Sequence, residues 1–363
     1  MKRLLPLILI LSLGAAGLSA QSGAINLTPL EEDFSTVFDS IASGVENSML
    51  LSQTSGNIMG QATLGNRSFY ISLLPPLGVT FGTGLLNLPD AESETWRFDV
   101  PVPTILEQAL GENEDILSFA QKLMAYPNLS MVQFGFKLPA DLELHARTMI
   151  MPAGLTKVIL NAVDPTIGEA VSLQMIGGSV QVRRTLVQDR GFAPGLSIGA
   201  VYGFNHFSAG FDLGGLGLEP IDFSGQELVF GGGISTVANA HTFGLDLHVS
   251  KQLLFLTPFL KISPRYQVRT IDVTSDLTAD VAGEESSFAP GIARNTAASS
   301  LVFTTGMEIN LFVPVIHLGL VFDLQRPEID LTDAGNLFAG DFANLDNLKL
   351  NRVGLNIGLR LQF

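Results

Sequence analysis

Alternation at period two, with charged residues on one parity and large apolar residues on the other, most constrains what this chain can fold into. In "PFLKISPRYQVRT", Leu260, Ile262, Tyr266 and Val268 alternate with Lys261, Arg265, Gln267 and Arg269. Neighbouring side chains on a strand point to opposite faces, so the segment is a strand with one charged and one apolar face. "HTFGLDLHVS" likewise sets Phe243, Leu245, Leu247 and Val249 against Thr242, Asp246, His248 and Ser250. "LVFTTGMEINL" and "IHLGLVFDLQ" put Glu308, Asn310, His317, Asp323 and Gln325 on their polar side. In "MVQFGFKLPADLELHARTM", Val132, Phe134, Phe136, Leu138, Leu142, Leu144 and Ala146 oppose Gln133, Lys137, Glu143, His145 and Arg147. Pro139 and Asp141 mark a tight turn in its middle.

A soluble sandwich also alternates, so composition decides between the two. The chain is 46% hydrophobic and only 15% charged, with mean hydropathy +0.35, where soluble domains carry about a quarter charged residues. Yet its one long apolar run is "LLPLILILSL", placed after Lys2 and Arg3 and before the small residues "GAAGLSA". That order describes a secretory signal, with cleavage expected after Ala20, or after Ala16, and the run is too short for a membrane helix. Cysteine is absent, which excludes disulfides, a lipidated cysteine and thiolate chemistry. The net charge of −15 repels nucleic acid and phosphate headgroups. An exported, greasy chain whose strands are charged on one side fits an all-β, transmembrane antiparallel β-barrel, apolar toward lipid and polar toward the lumen.

The chain ends "NRVGLNIGLRLQF", apolar at every odd position from Val353 to Phe363. This ending resembles the C-terminal assembly signal of bacterial outer-membrane β-barrel proteins, whose places are held here by Asn356, Gly358, Leu361 and Phe363. The resemblance implies the outer membrane of a Gram-negative-type, diderm bacterium, contact with its lipids, and insertion by the barrel assembly machinery. With a periplasmic C-terminus, counting strands backward gives about ten, within about 8 to 14, with short links inside and long acidic connections outside. "GQELVFGGGIST" is either an external hairpin or an added pair of strands.

The expected division is a signal peptide over 1–20, a periplasmic helix or plug segment over 21–66, and the barrel over 67–363. "TPLEEDFSTVFDSIASGVENSML" opens with a capping box, Thr28 with Glu31, and carries Leu30, Phe34, Val37, Phe38, Ile41, Val45 and Met49 at helical spacing. This amphipathic helix either plugs the lumen or packs on the periplasmic rim; the narrow interior of a ten-stranded barrel favours the rim. A second helical pattern, "PTILEQALGENEDILSFAQKLM", falls in the first external connection.

Chemistry-bearing motifs are sparse. His145, His206, His241, His248 and His317 are scattered without metal-ligand spacing and are expected to line the lumen, and no metal or cofactor is expected. The runs "GGLG" and "GGG" lack the Lys-Ser/Thr of a phosphate loop, and no nucleophile elbow occurs. The chain therefore reads as a non-enzyme. Its expected lumen residues are Lys137, Glu143, Arg147, Asp246, Lys261, Arg265, Arg269, Glu308, Asp323, Arg352 and Arg360. Three functions fit such a lumen: a channel or uptake pore for small solutes; a closed structural or surface-interaction barrel whose charges pair; and uptake of hydrophobic or lipid substrates, by analogy with long-chain fatty acid transporters.

Overall fold

The structure, a computed structural model, describes residues 59–72, 77–82, 127–129, 132–163, 165–215, 221–223, 226–281, 284–325, 329–330 and 349–363, together with Ser35, Phe38, Asp39, Ala42 and Val45. The expected signal peptide and the second helical pattern lie outside these residues. The described chain is a closed antiparallel barrel with a wall of ten strands.

Two of the ten are built from paired pieces. β1 (Phe69–Ser72) and β2 (Leu77–Gly82) share one side of the final strand, and β3 (Pro127–Leu129) and β4 (Val132–Lys137) continue the wall beside them. Then follow β5 (Leu142–Met151), β6 (Val171–Val187), β7 (Gly195–Asp212), β9 (Gln226–Ser250), β10 (Leu256–Val281), β12 (Gly291–Asn310), β13 (Pro314–Gln325) and β15 (Lys349–Gln362). β15 pairs back onto β1, Tyr70 with Gln362 and Ser72 with Arg360, which closes the wall. β8 (Ile221–Phe223), β11 (Glu284–Phe288) and β14 (Ile329–Asp330) are short strands attached to β9, β10 and β12.

The short links between successive wall strands, β4 to β5, β6 to β7, β9 to β10 and β12 to β13, lie at one end. The β4–β5 turn, where Ala140 and Asp141 take positive φ, is the one Pro139 and Asp141 predict. The other end holds the long connections, including two helices the sequence pattern did not suggest, α1 (Ala153–Val163) and α2 (Pro165–Ala170). "GQELVFGGGIST" is the outer end of β9, hydrogen-bonded to β8, β7 and β10. The acidic stretch after Thr274, expected as an external connection, is largely strand: β10 continues to Val281 and returns as β11.

The two faces of the wall exchange character along its height. On β10, from Thr257 to Arg269, the buried inward residues include Thr257, Lys261, Ser263, Arg265, Gln267 and Arg269, and Leu260, Ile262, Tyr266 and Val268 point out. Beyond that level the inward residues are Ile271, Val273 and Leu277, and the outward ones are Thr270, Asp272, Thr274, Asp276 and Asp280. β9 changes at the paired position: Thr242, Asp246, His248 and Ser250 face in below Ala240, and Ile234, Ala238 and Ala240 face in above. On β7 the inward face passes from Ser197 and Asn205 to Phe207, Ala209 and Phe211, and on β6 from Arg183 and Gln181 to Met175, Leu173 and Val171. Register ties these changes into one ring, since Met175 pairs with Phe207 and Phe207 with Ala238. The short-turn half is therefore polar inside and apolar outside; the outer half is the reverse, as in a water-soluble barrel. Met151, Leu173, Met175 and Ala209 form the core of that outer half, with Phe207 and Phe211 against them.

Candidate functional site: a strap across the charged lumen

Residues Met59–Gly65 enter the barrel at the short-turn end, and most of them are buried. An extended segment that leaves the wall must find partners for its backbone groups elsewhere. Here the lumen side chains provide them. Gly60 N–H donates to the Glu308 carboxylate (2.5 Å), Ala62 N–H to Ser250 Oγ (2.7 Å) and Leu64 N–H to Glu143 Oε1 (2.7 Å). On the acceptor side, His248 Nε2–H donates to Gly60 O (2.8 Å) and Arg183 Nη1 to Gln61 O (3.0 Å). The Gln61 side chain donates to Asn310 Oδ1 (2.9 Å), which ties the strap to the end of β12.

The two carboxylates that grip the strap have matching surroundings. Glu143 on β5 is paired with Arg183, its cross-strand neighbour on β6, through Nη2 and through Nε at 2.9 Å, and accepts from His145 Nε2 at 3.2 Å. Glu308 on β12 is paired with Arg360 of β15 through Nη1 and through Nη2 at 2.8 Å, and lies 3.2 Å from Nδ1 of its cross-strand neighbour His317. Each is thus a carboxylate held between one arginine, one histidine and one strap N–H. Glu143 is 1% exposed and Glu308 0%, so only such multiple donors make the buried charges tolerable. Behind His145 a directional chain runs from Gln133 Nε2 to Tyr70 Oη (3.1 Å), and from Tyr70 O–H to His145 Nδ1 (3.1 Å).

Above the strap, Arg265 Nη2 donates to Asp246 Oδ1 (2.6 Å), and Gln181 Nε2 reaches the other oxygen from β6 over Gly199 of the intervening β7. Glycines make room for these large inward groups. Gly244 is the cross-strand neighbour of Arg265, and a Cβ there would fall 2.2 Å from Nη1. Gly306 faces Phe259 in the same way, and the Phe259 ring stacks on His317 at 5.1 Å.

Of the residues expected in the lumen, Glu143, Arg147, Asp246, Lys261, Arg265, Arg269, Glu308, Asp323 and Arg360 are buried on the inward parity. Lys137 is not: it stands exposed at the rim and donates to Gly65 O (3.0 Å), because β4 ends there. Arg352 pairs through its backbone with Asp323 and Gly82, and its side chain lies outside the described residues. Asn356 points inward and is fully buried, while Phe363 is exposed at 59%. The histidines divide, since His145, His248 and His317 are inward and buried but His206 and His241 lie on the outer face. His241 accepts from or donates to Tyr202 Oη (2.9 Å) and is stacked on its ring.

Sequence reasoning missed Arg183 and the strap. Arg183 follows the inward parity of Gln181, but the adjacent Arg184 blurs the alternation. For the helical segment, Phe38, Ala42 and Val45 are helical and buried, and Asp39 forms an ion pair with Arg294, three residues from the outer end of β12. That contact puts these residues at the end of the long connections, away from the short-turn rim. Among the described residues no group of three His, Asp or Glu side chains is placed to hold a metal ion.

Fold and site together define a closed ten-stranded β-barrel with a charged lumen crossed by its own N-terminal strap. Neither a protein-family model nor a curated protein matches the chain.

Proposed function

We propose that this protein spans an outer membrane and is an uptake channel closed at its periplasmic end by the Met59–Gly65 strap. The observation that carries this reading is the shared level at which β6, β7, β9 and β10 exchange polar and apolar faces. An outward apolar face is favourable only against lipid, and an outward Thr/Asp face only against water, so the exchange marks a bilayer boundary. Its height is right: the nine residue-to-residue steps from His241 to Ser250, at about 3.3 Å each and a tilt of about 40°, give roughly 23 Å, against an apolar band of about 25 Å in such barrels. Aromatic and histidine rings mark both edges, Tyr202, Phe204, His206 and His241 above and Phe192, Phe255, Phe312 and Phe363 below. The C-terminal motif supports delivery by the barrel assembly machinery.

The strap is held by hydrogen bonds rather than a large apolar interface, which suits a closure that can be displaced. The apolar inner face of the outer half favours compounds with a hydrophobic body over sugars or ions. No catalytic role is assigned. The test is conductance in planar bilayers: the full-length protein should be silent or open rarely, and a variant lacking residues 59–65 should give long-lived open steps. Silence of both, with the barrel folded by heat-modifiable migration, would mean that the lumen is closed by its own side chains and that the protein is a structural barrel.

A further inference from the structure

Along one half of the short-turn rim, large apolar side chains stand at the tips of the turns. Phe192 in the β6–β7 turn is 104% exposed, Leu254 in the β9–β10 turn 88% and Phe312 in the β12–β13 turn 95%. Leu253 and Phe255 flank Leu254 and are exposed too, as is Phe363 at the end of β15. Leu254 and Phe312 also take positive φ, 56° and 65°, a left-handed backbone that suits Gly, Asn or Asp and disfavours large side chains. The polar groups of these turns are turned on one another. Lys251 Nζ donates to Asp189 Oδ1 (2.6 Å), Gly191 O (2.6 Å) and Ala193 O (3.1 Å), and Gln252 N–H to Asp189 Oδ2 (2.6 Å), which ties the β9–β10 turn to the β6–β7 turn. Asn310 N–H donates to Phe255 O (2.7 Å) and Gln362 N–H to Val313 O (3.0 Å), which joins the β12–β13 turn to its neighbours on both sides. Four successive strand ends thus form one hydrogen-bonded ledge with apolar tips. The rest of the described rim differs: the β4–β5 turn exposes Lys137, Pro139, Ala140 and Asp141, and the approach to β1 exposes Asn66 and Ser68.

We infer that this ledge is a lipid-docking surface, seated in the headgroup layer of the inner leaflet, and that the opposite half of the rim stays in water. The inference rests on the membrane-spanning reading proposed above and adds which side of the barrel the lipid holds. Continuity names lipid as the occupant: the outward positions of β10 descend through Pro264, Ile262, Leu260, Pro258 and Leu256 to the tip without a polar residue. Depth agrees with it. From the Ser250–Phe259 pair to the Leu253–Leu256 pair is three residue steps, roughly 8 Å at about 3.3 Å each and a tilt of about 40°, and a headgroup layer is about 5–8 Å thick. Turn carbonyls already held by Lys251 do not call on water, as a medium poor in donors requires. The polar half of the rim is where the strap leaves the lumen, with Lys137 on Gly65 O and Glu143 on Leu64 N–H. Seating by the ledge alone sinks the β7–β13 side of the barrel and keeps the strap's exit clear of lipid.

The chain has no cysteine, so one introduced cysteine gives one site for a nitroxide spin label. Full-length Phe192→Cys, Leu254→Cys, Phe312→Cys, Ala140→Cys and Leu260→Cys, folded into phosphatidylcholine vesicles, are compared by collision of the label with oxygen, which concentrates in lipid, and with a water-soluble nickel chelate. The ratio of oxygen to nickel accessibility should be highest at Leu260, intermediate at the three tips and lowest at Ala140. Tips as nickel-accessible as Ala140, with Leu260 still in lipid, overturn the ledge and leave the spanning reading standing; a nickel-accessible Leu260 overturns both. An Ala140 label as deep as the tips overturns the division of the rim. Leu254→Asn and Phe312→Asn supply a readout free of the label, because Asn relieves the positive φ while removing the apolar side chain. Tips in lipid predict a lower urea midpoint in vesicles for both variants; an unchanged or raised midpoint places the tips in water and overturns the ledge.

Discussion

Removing the charge of Glu308 tests whether the strap and the wall are held by one buried ion pair. In Glu308→Gln an acceptor for Gly60 N–H remains, but Arg360, fully buried, loses the carboxylate that meets Nη1 and Nη2. Breaking a buried pair from one side strands the other charge, which costs about 3–5 kcal/mol. Replacing both partners by apolar residues of similar size is far gentler, because no charge is left uncompensated. In Glu308→Leu with Arg360→Met, Gly60 N–H loses its acceptor at about 1–3 kcal/mol, and the longer 3.2 Å contact to uncharged His317 Nδ1 is lost at about the lower end of that range. The double variant should therefore be more stable than Glu308→Gln alone. Urea unfolding in lipid vesicles, followed by heat-modifiable migration on gels, measures all three proteins. If the double variant is less stable than the single by a further 3 kcal/mol or so, the two side chains act independently and the coupling drawn from their geometry is wrong.

Other outcomes follow from the same wall. Leu260→Lys places a charge on the outward apolar face and should destabilise the folded barrel in vesicles by about 2–4 kcal/mol, whereas Thr274→Lys, above the polarity exchange, should be near neutral; equal effects would remove the proposed boundary. Gly244→Leu should lower stability by about 1–3 kcal/mol through overpacking against Arg265, and pairing it with Arg265→Ser should recover part of the loss in the same urea assay. Deleting Phe363 removes the carbonyl that accepts from Ser68 N–H (2.7 Å) and Phe69 N–H and the N–H that donates to Phe69 O (2.9 Å). The deletion should sharply reduce heat-modifiable protein in the outer-membrane fraction, and Phe363→Tyr or Phe363→Trp should not; normal assembly of the deletion would show that these bonds do not close the wall.

The barrel was legible because alternation is a property of neighbours in the chain. Lys261, Arg265 and Arg269 could be assigned one face, and Leu260, Ile262 and Val268 the other, without knowing any strand pairing. The strap was not legible for the opposite reason. "MGQATLG" holds the lumen through backbone N–H and C=O groups that every sequence possesses, and its partners are as distant as Glu308. The triads of Glu143 and Glu308 were half legible: each carboxylate was placed inward by parity, but Arg183 and His317 become partners through register across strands. Lys137 was misplaced because parity gives the face of a side chain and not its height, and a strand's last residue meets water whichever way it points.

The stretch "RTIDVTSDLTAD" shows where a single-polarity reading of a barrel strand stops working. Up to Arg269 the polar residues hold the odd positions; from Thr270 they hold the even ones, through Asp272, Thr274, Asp276, Thr278 and Asp280. Read with one polarity, the stretch has lost its register and looks like a loop. Yet β10 stays paired with β9 residue for residue from Arg265 with Gly244 to Val281 with Leu228, so the backbone does not slip. On the membrane-spanning reading proposed above, what changes is the medium outside the wall, and with it which face must be apolar. The outer half then needs an apolar filling, and a wall alone cannot supply enough of it. Phe38, Ala42 and Val45 lie on one face of a helix and are buried, and the Asp39–Arg294 pair holds that helix at the same height. The N-terminal segment thus serves both halves of the barrel in the currency each requires: apolar side chains where the interior is apolar, and bare backbone donors where it is lined by carboxylates.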